Sequence, residues 1–313
     1  MNASVTTRLE GENMVVAYGE HTVLNGVDFQ VPEGELTVIL GPNACGKSTT
    51  LKALARVNPL KEGEVRLDGT PLPQMKSRAI AKILAMLPQT PEAPSGVTVA
   101  DVVARGRYPH QSLLRSWSDE DERACVEAMQ AANVLELAER PIEALSGGQR
   151  QRVWIAMTLA QQTPLILLDE PTTYLDITHQ IEVLNLTKKL HSEGRTVAVV
   201  LHDLNLAFRY ATHVVLMKQG RIIAQGDPRA IITPELIQEV FDLQSVIIPD
   251  PCTGTPLVIP KENQTIHIAA DAISAAHGQH ITDGLRVGRL PGARPSLTHE
   301  RIRALGRFHF GNP

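Results

Sequence analysis

The chain has 313 residues, of which 43% are apolar and 20% are charged, a composition that permits a substantial core and excludes the disordered and fibrous classes. Its net charge of -4 excludes a general nucleic-acid binder, because such proteins carry a basic excess. No run approaches the roughly 18 apolar residues that a membrane span needs, and residues 1–14 lack an apolar signal core, so we expect the chain to stay in the cytoplasm.

The first forty residues alternate apolar and polar positions around turn signals, which predicts short antiparallel strands. Turns are expected at Asn25-Gly26 and between Pro32 and Gly34. Residues 36–40 then form a continuous apolar run that ends at Gly41. Such a run is typical of a strand that is buried on both faces of a sheet.

Three later runs have the same character. Residues 164–168 lead into Asp169-Glu170, residues 196–201 lead into His202, and residues 213–217 lead into a turn. Because ligands bind at the carboxyl edge of open α/β sheets, the polar residues after these strands are site candidates. Between about residues 97 and 160 the pattern becomes helical, which predicts a helical insert between two halves of the sheet.

A phosphate-binding loop follows the first buried strand. The pattern GxxxxGK[ST] is matched by Gly41, Pro42, Asn43, Ala44, Cys45, Gly46, Lys47 and Ser48, with Thr49 continuing into a helical stretch. The backbone N–H groups of such a loop point at phosphates, Lys47 would neutralise the β- and γ-phosphates, and Ser48 would ligate Mg²⁺. This motif predicts a nucleoside triphosphatase without identifying its class.

Two adjacent carboxylates end the second buried strand. Asp169 is placed to hold Mg²⁺, and Glu170 is placed to orient and polarise an attacking water. An Asp-Glu pair after a strand is usually only a solvated strand end. Together with a phosphate loop, the pair predicts hydrolysis of the bound nucleotide.

Residues 145–149 read LSGGQ and begin a predicted helix just before the second buried strand. With the two motifs above, this segment resembles the signature of ABC-type ATPases, and the resemblance covers residues 8–260. It implies an α/β P-loop NTPase (RecA-like) core with an antiparallel β flank and a helical ABC-specific insert at about residues 97–160. Residues 261–313, which lose periodicity, are expected to be a flexible tail.

The resemblance implies a homodimer of nucleotide-binding subunits that binds ATP and Mg²⁺. In it, Ser146, Gly147, Gly148 and Gln149 of one subunit face the ATP on the phosphate loop of the other. Four further positions match the family one by one: Tyr18 would stack on adenine, Gln89 would sense Mg²⁺ and water, His202 would contact the γ-phosphate, and Asp176 would lie across the dimer interface. Alone, each would more often be a packing or solvated residue.

Three positions depart from the commonest family pattern or raise a question of reactivity. Ala44 stands where glycine is usual, so the loop backbone must accept a Cβ atom. Tyr174 places a bulky side chain in the expected interface. Cys45 could be sensitive to alkylation or could be a small apolar space-filler.

The segment ARGRYPHQ (residues 104–111), with TTYLDITHQ and VLHDLNLAFRYATHVV, resembles the ATPases of ferric-siderophore importers. In that family the segment meets the membrane-spanning permease subunits, which implies a peripheral location at the cytoplasmic face of the cell membrane and an indirect link to a substrate-binding protein. Haem and cobalamin importers share much of this pattern. From the residues alone, the segment would be a solvated basic loop.

The sequence disfavours three other classes of protein. A soluble ABC ATPase of DNA repair or translation is disfavoured by the single cassette and the short insert, and an exporter by the missing fused membrane spans. A non-catalytic regulatory module is disfavoured because Lys47, Asp169, Glu170 and His202 are all present. The histidines of the tail lie in a stretch without regular periodicity, so no metal site is predicted there.

Overall fold

A computed structural model describes residues 7–111, 117–173 and 175–262. In chain order, the strands are β1 (Thr7–Tyr18), β2 (His21–Pro32), β3 (Leu36–Leu40), β4 (Glu62–Leu67), β5 (Thr70–Pro71), β6 (Leu84–Leu87), β7 (Leu165–Asp169), β8 (Thr196–Val200), β9 (His213–Lys218), β10 (Arg221–Gly226), β11 (Ser245–Pro249) and β12 (Pro256–Pro260). The helices are α1 (Lys47–Leu54), α2 (Ser77–Ile80), α3 (Val99–Ala104), α4 (Asp119–Ala131), α5 (Gly147–Ala160), α6 (Ile177–Ser192), α7 (Leu204–Tyr210), α8 (Pro228–Ile231) and α9 (Pro234–Phe241).

A six-stranded sheet with the order β10-β9-β3-β8-β7-β6 forms the centre of the fold. The strands from β9 to β6 are parallel, and β10 is antiparallel to β9. The carboxyl ends of β3, β8, β7 and β6 therefore lie side by side at one edge. This order places the phosphate loop, His202, the Asp169-Glu170 pair and Gln89 on neighbouring strand ends.

The central sheet is buried on both faces, as the continuous apolar runs predict. All five residues of β3 are buried, with Val38 and Leu40 in one hydrophobic cluster and Ile39 in the other. The first cluster lies against the helices of the insert and α6 and α7, and the second lies against α1 and the antiparallel sheet. The strand ends are consequently held by packing from two sides.

The N-terminal flank is an antiparallel sheet with the order β2-β1-β4-β5, as the alternating pattern predicts, but β1 and β2 are long strands of 12 residues each where short ones are expected. The expected turn at Asn25-Gly26 is wrong, because this pair lies inside β2, and the chain turns instead at Gly19-Glu20. The register changes here from Met14 opposite Val27 to Val16 opposite Leu24, which leaves one extra residue on β2. Gly26, with φ of 68°, therefore belongs to a β-bulge, which uses the same left-handed backbone as a hairpin turn.

The helices α3, α4 and α5 occupy the segment predicted to be helical. Each begins with a capping box, which is a pair of reciprocal hydrogen bonds. The N-cap hydroxyl accepts from the backbone N–H of the third helical residue, and the side chain of that residue accepts from the backbone N–H of the N-cap residue. The pairs are Thr98 with Asp101, Ser118 with Asp121, and Ser146 with Gln149. These caps fix where the three helices start, including the helix that follows the signature segment.

None of the helices in the described ranges is long and apolar enough to cross a bilayer. The described residues from Thr7 to Lys261 form one compact unit. Tyr174 and residues 263–313, which include the histidines of the expected tail, lie outside the described residues, so what is expected of them stays a prediction.

Candidate functional site

The phosphate loop (residues 41–48) connects β3 to α1 and lines an open cleft at the carboxyl edge of the central sheet. Lys47 is only 5% exposed, and its Nζ atom donates to the backbone oxygens of Gly41 at 2.9 Å and Pro42 at 3.0 Å. The Thr50 hydroxyl closes the start of α1 by donating to the Gly46 oxygen at 3.0 Å. Lys47, the predicted phosphate-binding lysine, is thus hydrogen-bonded to the backbone of its own loop.

Ala44 adopts a left-handed backbone with φ of 59°. A residue with a Cβ atom pays about 1–2 kcal/mol for this conformation, whereas glycine does not. The side chain lines the cleft. The departure from the family's glycine is therefore accommodated as local backbone strain at the phosphate loop.

We expect Ala44→Gly to raise the free energy of unfolding by about 1 kcal/mol, because it relieves this strain at some cost in unfolded-chain entropy. Urea unfolding of the nucleotide-free protein would measure the change. Ala79→Gly, at an exposed position of α2, is the matched control and should change stability in the opposite direction by a similar amount. An Ala44→Gly protein less stable than wild type would contradict the prediction, because the relieved strain would then be smaller than the entropy that glycine adds to the unfolded chain.

Asp169 is fully buried at the end of β7, next to the start of α1. Its Oδ1 atom accepts a hydrogen bond of 2.7 Å from the Ser48 hydroxyl, and its Oδ2 atom has no hydrogen-bond partner among the described residues. Lys52 Nζ lies 3.8 Å from Oδ2. Burial raises the pKa of Asp169, opposed by the bond from Ser48 and the charge of Lys52. A buried carboxylate oxygen without a donor, beside a hydroxyl, offers the hard oxygen ligands that Mg²⁺ prefers.

Glu170 lies at the centre of a cluster of side chains from the loops that follow β6, β7 and β8. Its Oε2 atom accepts bonds from Gln89 Nε2 at 2.8 Å and from the Thr173 hydroxyl at 3.2 Å, and its Oε1 atom lies 2.8 Å from His202 Nε2. Glu170 has a φ of 53°, a left-handed conformation that a non-glycine residue adopts only under constraint. Glu170, the predicted base, is thus brought together with His202 and Gln89, and the cluster borders the phosphate loop.

The signature segment (residues 145–149) is not part of this cluster, and none of its residues lines the cleft of the phosphate loop. Ser146 is exposed and caps α5, since its hydroxyl accepts a bond from the Gln149 N–H at 3.2 Å while Gln149 Oε1 accepts from the Ser146 N–H at 3.0 Å. A Cβ atom on Gly147 would meet open space. Packing among the described residues therefore gives no reason for glycine at position 147.

Tyr18 and Asp176 also lie outside the cleft lining. Tyr18 is 54% exposed, and its hydroxyl accepts a bond of 2.6 Å from Asn58 Nδ2. Asp176 caps α6 by accepting a bond from the His179 N–H at 3.0 Å. Their predicted roles toward adenine and across a dimer remain predictions, with a local structural role now visible for each.

Cys45 is 4% exposed, and its pKa is raised by burial against the opposing charge of Lys47. A raised pKa and a buried sulfur both reduce the thiolate available for alkylation. The geometry therefore favours the space-filling interpretation of this residue.

Several residues of the site were missed by the sequence reasoning. Lys52 is four residues after Ser48 on α1, so the helical spacing could have indicated that both reach Asp169. Thr173 follows Glu170 by three residues in the same loop. An apolar wall of the cleft is formed by Leu204, Phe241 and Leu243, and no local signal places the last two there.

The segment ARGRYPHQ is not the solvated basic loop that its composition suggests. Arg107 is 1% exposed, and its Nε atom donates to Asp121 Oδ1 at 2.9 Å. Its Nη1 atom donates to the Ala160 oxygen at 2.8 Å and to Gln162 Oε1 at 2.9 Å. Arg107 therefore joins the start of α4 to the end of α5, because five directional donors let an arginine satisfy several buried acceptors at once. Tyr108, the next residue, is 63% exposed.

Comparison with known proteins finds ABC transporter subunits, in agreement with the motifs of the sequence. The ABC transporter family model matches residues 24–173. The ferric enterobactin transport ATP-binding protein FepC of Escherichia coli K12 is 49% identical over 254 residues, covering 81% of this chain and 94% of the relative. The petrobactin import ATP-binding protein FpuD of Bacillus anthracis is 49% identical over 253 residues, covering 80% and 93%.

Solved structures of ABC transporter subunits have the same fold as this chain. A chain of an inward-facing, metal-chelate type ABC transporter superposes with a TM-score of 0.69 at 27% identity, covering 83% of this chain and 99% of its own length. A dimeric ATP-binding cassette with bound ADP and phosphate has a TM-score of 0.63 at 30% identity, covering 71% and 100%. The match in sequence over nearly the full length of the relatives, with the expected P-loop fold, establishes that this chain belongs to the ATP-hydrolysing, ATP-binding subunits of ABC transporters.

Proposed function

We propose that this subunit hydrolyses ATP to energise the import of iron–siderophore complexes. The observation that carries the proposal is the cluster of Gln89, Glu170 and His202 beside the phosphate loop, because it supplies a fixed carboxylate where a terminal phosphate would lie. The siderophore assignment rests on the relatives, which are named for ferric enterobactin and petrobactin. In this proposal the transported molecule contacts the permease and the substrate-binding protein, so the residues of the ATPase site do not define it.

In the proposed site, the phosphate loop and Lys47 bind the phosphates, and Glu170 accepts the proton of the attacking water. Gln89 and His202 hold the Glu170 carboxylate on its two oxygens, which orients it before nucleotide binds. Ser48 and Asp169 would hold Mg²⁺, an assignment supported by Asp169 Oδ2, which accepts no hydrogen bond from the described residues. The ion would neutralise charge that develops on the phosphates. Tyr18 would contribute adenine stacking.

We propose that two copies act as a homodimer in which the signature segment of one faces the phosphate loop of the other. The exposed Ser146 cap and the open space at Gly147 support an approach from outside the chain, since a glycine at a helix start lets a phosphate come close to backbone N–H groups. Asp176 would then lie at the dimer interface. A dimeric cassette with ADP and phosphate is among the similar structures.

The homodimer would sit peripherally at the cytoplasmic face of the cell membrane, on permease subunits that receive cargo from a substrate-binding protein. We propose residues 8–260 as the ATPase domain, with its helical insert at about 97–160 in contact with the permease. Within that insert, the exposed Tyr108 follows the buried Arg107, which is hydrogen-bonded to the end of α5. Nucleic acid is not part of this proposal.

The test is uptake of radiolabelled iron by cells that lack this protein, supplied with iron–enterobactin or with an iron–hydroxamate. Wild type should restore uptake of one of the two, and Lys47→Ala should lower it about 10²-fold, because the phosphates lose their buried positive charge. Lys188→Met, at an exposed position of α6, is the matched control and should behave as wild type.

Unchanged iron uptake in the deletion strain, with no redundant ATPase present, would contradict the siderophore assignment. Parallel assays with haem and cobalamin would then identify either alternative importer. Recovery of the protein with ribosomes or DNA instead of membranes would favour a soluble ABC ATPase.

A further inference from the structure

Lys52 is a charged residue of the site for which the proposed mechanism has no use. It lies on the face of α1 that carries Ser48, one helical turn further along. Ser48 contacts one oxygen of Asp169 at 2.7 Å, and Lys52 Nζ lies 3.8 Å from the other. The same short helix therefore presents a metal-ligating hydroxyl and an ammonium group to the two oxygens of one carboxylate.

Asp169 needs a counter-charge because it is fully buried. An ionised carboxylate in such a place is costly unless it is paired. Lys47, the other lysine nearby, is occupied by the Gly41 and Pro42 oxygens. Among the described residues, Lys52 is the ion-pair partner that the structure gives to Asp169.

The distance and exposure of Lys52 suit a temporary partner. At 3.8 Å, the ammonium is too far for a hydrogen bond to Asp169 Oδ2, which stays without a donor. The Lys52 side chain is 30% exposed, so it can turn toward solvent without opening the core. A divalent ion bound to the same oxygen would repel it.

We propose that Lys52 is a positioning residue that balances the charge of Asp169 when no metal is bound and that competes with Mg²⁺ for this carboxylate. The inference rests on the proposed assignment of Ser48 and Asp169 as metal ligands. Its consequence is that the protein alone binds the ion weakly, and that metal enters together with nucleotide, whose phosphates supply the negative charge that offsets Lys52. Metal occupancy is thereby tied to nucleotide occupancy.

The test is a titration of the purified protein with Mn²⁺, a paramagnetic substitute for Mg²⁺, with free ion measured by electron paramagnetic resonance. Without nucleotide, Lys52→Met should bind Mn²⁺ about tenfold more tightly than wild type, equivalent to about 1.4 kcal/mol. Methionine keeps the length of the side chain and removes its charge. Lys52→Arg should remain within twofold of wild type, because the charge is retained.

Lys188→Met is the control for net charge, since it removes one positive charge from the far half of α6, where salt screens its effect on the site. It should leave Mn²⁺ affinity unchanged. Equal or weaker Mn²⁺ binding by Lys52→Met than by wild type would overturn the competing role of Lys52.

The assignment of the metal ligands is tested separately by adding ADP. Wild type with ADP should bind Mn²⁺ at a site that Asp169→Asn weakens at least tenfold. Mn²⁺ binding that is indifferent to Asp169→Asn would overturn the magnesium assignment itself, and with it this inference. A normal response to Asp169→Asn with no effect of Lys52→Met would overturn the inference alone.

Discussion

Replacing Glu170 with glutamine is expected to lower the rate of ATP hydrolysis by about 10²–10⁴-fold while ATP binding persists. Glutamine has the same shape and can still accept a bond from Gln89 through its amide oxygen, so the cluster should keep its arrangement. It cannot take a proton from water. The loss should therefore appear in the chemical step and leave affinity intact.

Release of phosphate at saturating ATP would measure turnover, and equilibrium binding of labelled ATP would measure affinity. Size-exclusion chromatography with ATP should show the Glu170→Gln protein accumulating as a dimer, because the state that precedes hydrolysis is no longer consumed. Glu62→Gln, at an exposed position of β4, is the matched control and should hydrolyse ATP at the wild-type rate. Turnover of the Glu170→Gln protein within threefold of wild type would remove Glu170 from the role of base.

The positions of the predicted site residues could be obtained from the sequence because they follow buried strands. Periodicity identifies such strands, and parallel strands bring their carboxyl ends to one edge, which predicts that Glu170 and His202 lie close together. The contacts within the cluster could not be obtained in this way. That His202 and Gln89 reach different oxygens of Glu170 depends on side-chain conformations set by the whole fold.

The local sequence does not distinguish a hairpin turn from a β-bulge, because both use a residue with a positive φ. Asn25-Gly26 predicts a turn because glycine accepts a positive φ, and a bulge within β2 has the same requirement. Only the register of β2 against β1 distinguishes the turn from the bulge, and the residues around Asn25 do not determine that register.

The composition of residues 104–111 predicts a solvated loop, but Arg107 is buried, and the reason again lies in contacts that are distant in sequence. A segment rich in arginine, proline and histidine is usually solvated, since burying a charge is costly. The cost is met here by Asp121, Gln162 and a helix carbonyl, which lie 14, 55 and 53 residues away in sequence. No window of sequence around Arg107 contains all three partners.

Arg107→Met is accordingly expected to lower the free energy of unfolding by about 3–5 kcal/mol, the usual result of leaving a buried ion without its partner. Asp121, which is 1% exposed, would keep its charge and lose the guanidinium at 2.9 Å. The Ala160 oxygen and Gln162 would lose donors as well. Urea unfolding at pH 7 would measure the loss, and Arg123→Met, at an exposed position of α4, should change stability by no more than about 0.5 kcal/mol.

A double variant separates the charge from the packing. Asp121→Asn retains an oxygen that can accept from Ser118 at the start of α4, so Arg107→Met combined with Asp121→Asn should be more stable than Arg107→Met alone by more than about 1 kcal/mol. If the double variant is as unstable as the single one, packing and lost donors account for the effect, and the unpaired charge does not.

The pH dependence gives an independent check on the same pair. Burial acts to raise the pKa of Asp121, but the bonds from Arg107 and Ser118 outweigh it and hold that pKa below the ordinary value of 3.8. Because the folded-state pKa is depressed, the stabilisation is complete well above pH 3.8 and is lost as pH falls through the folded-state pKa. The wild-type protein should therefore lose stability between about pH 4 and pH 2 more steeply than Asp121→Asn, and parallel curves for the two proteins would show that the ionised Asp121 does not stabilise the insert.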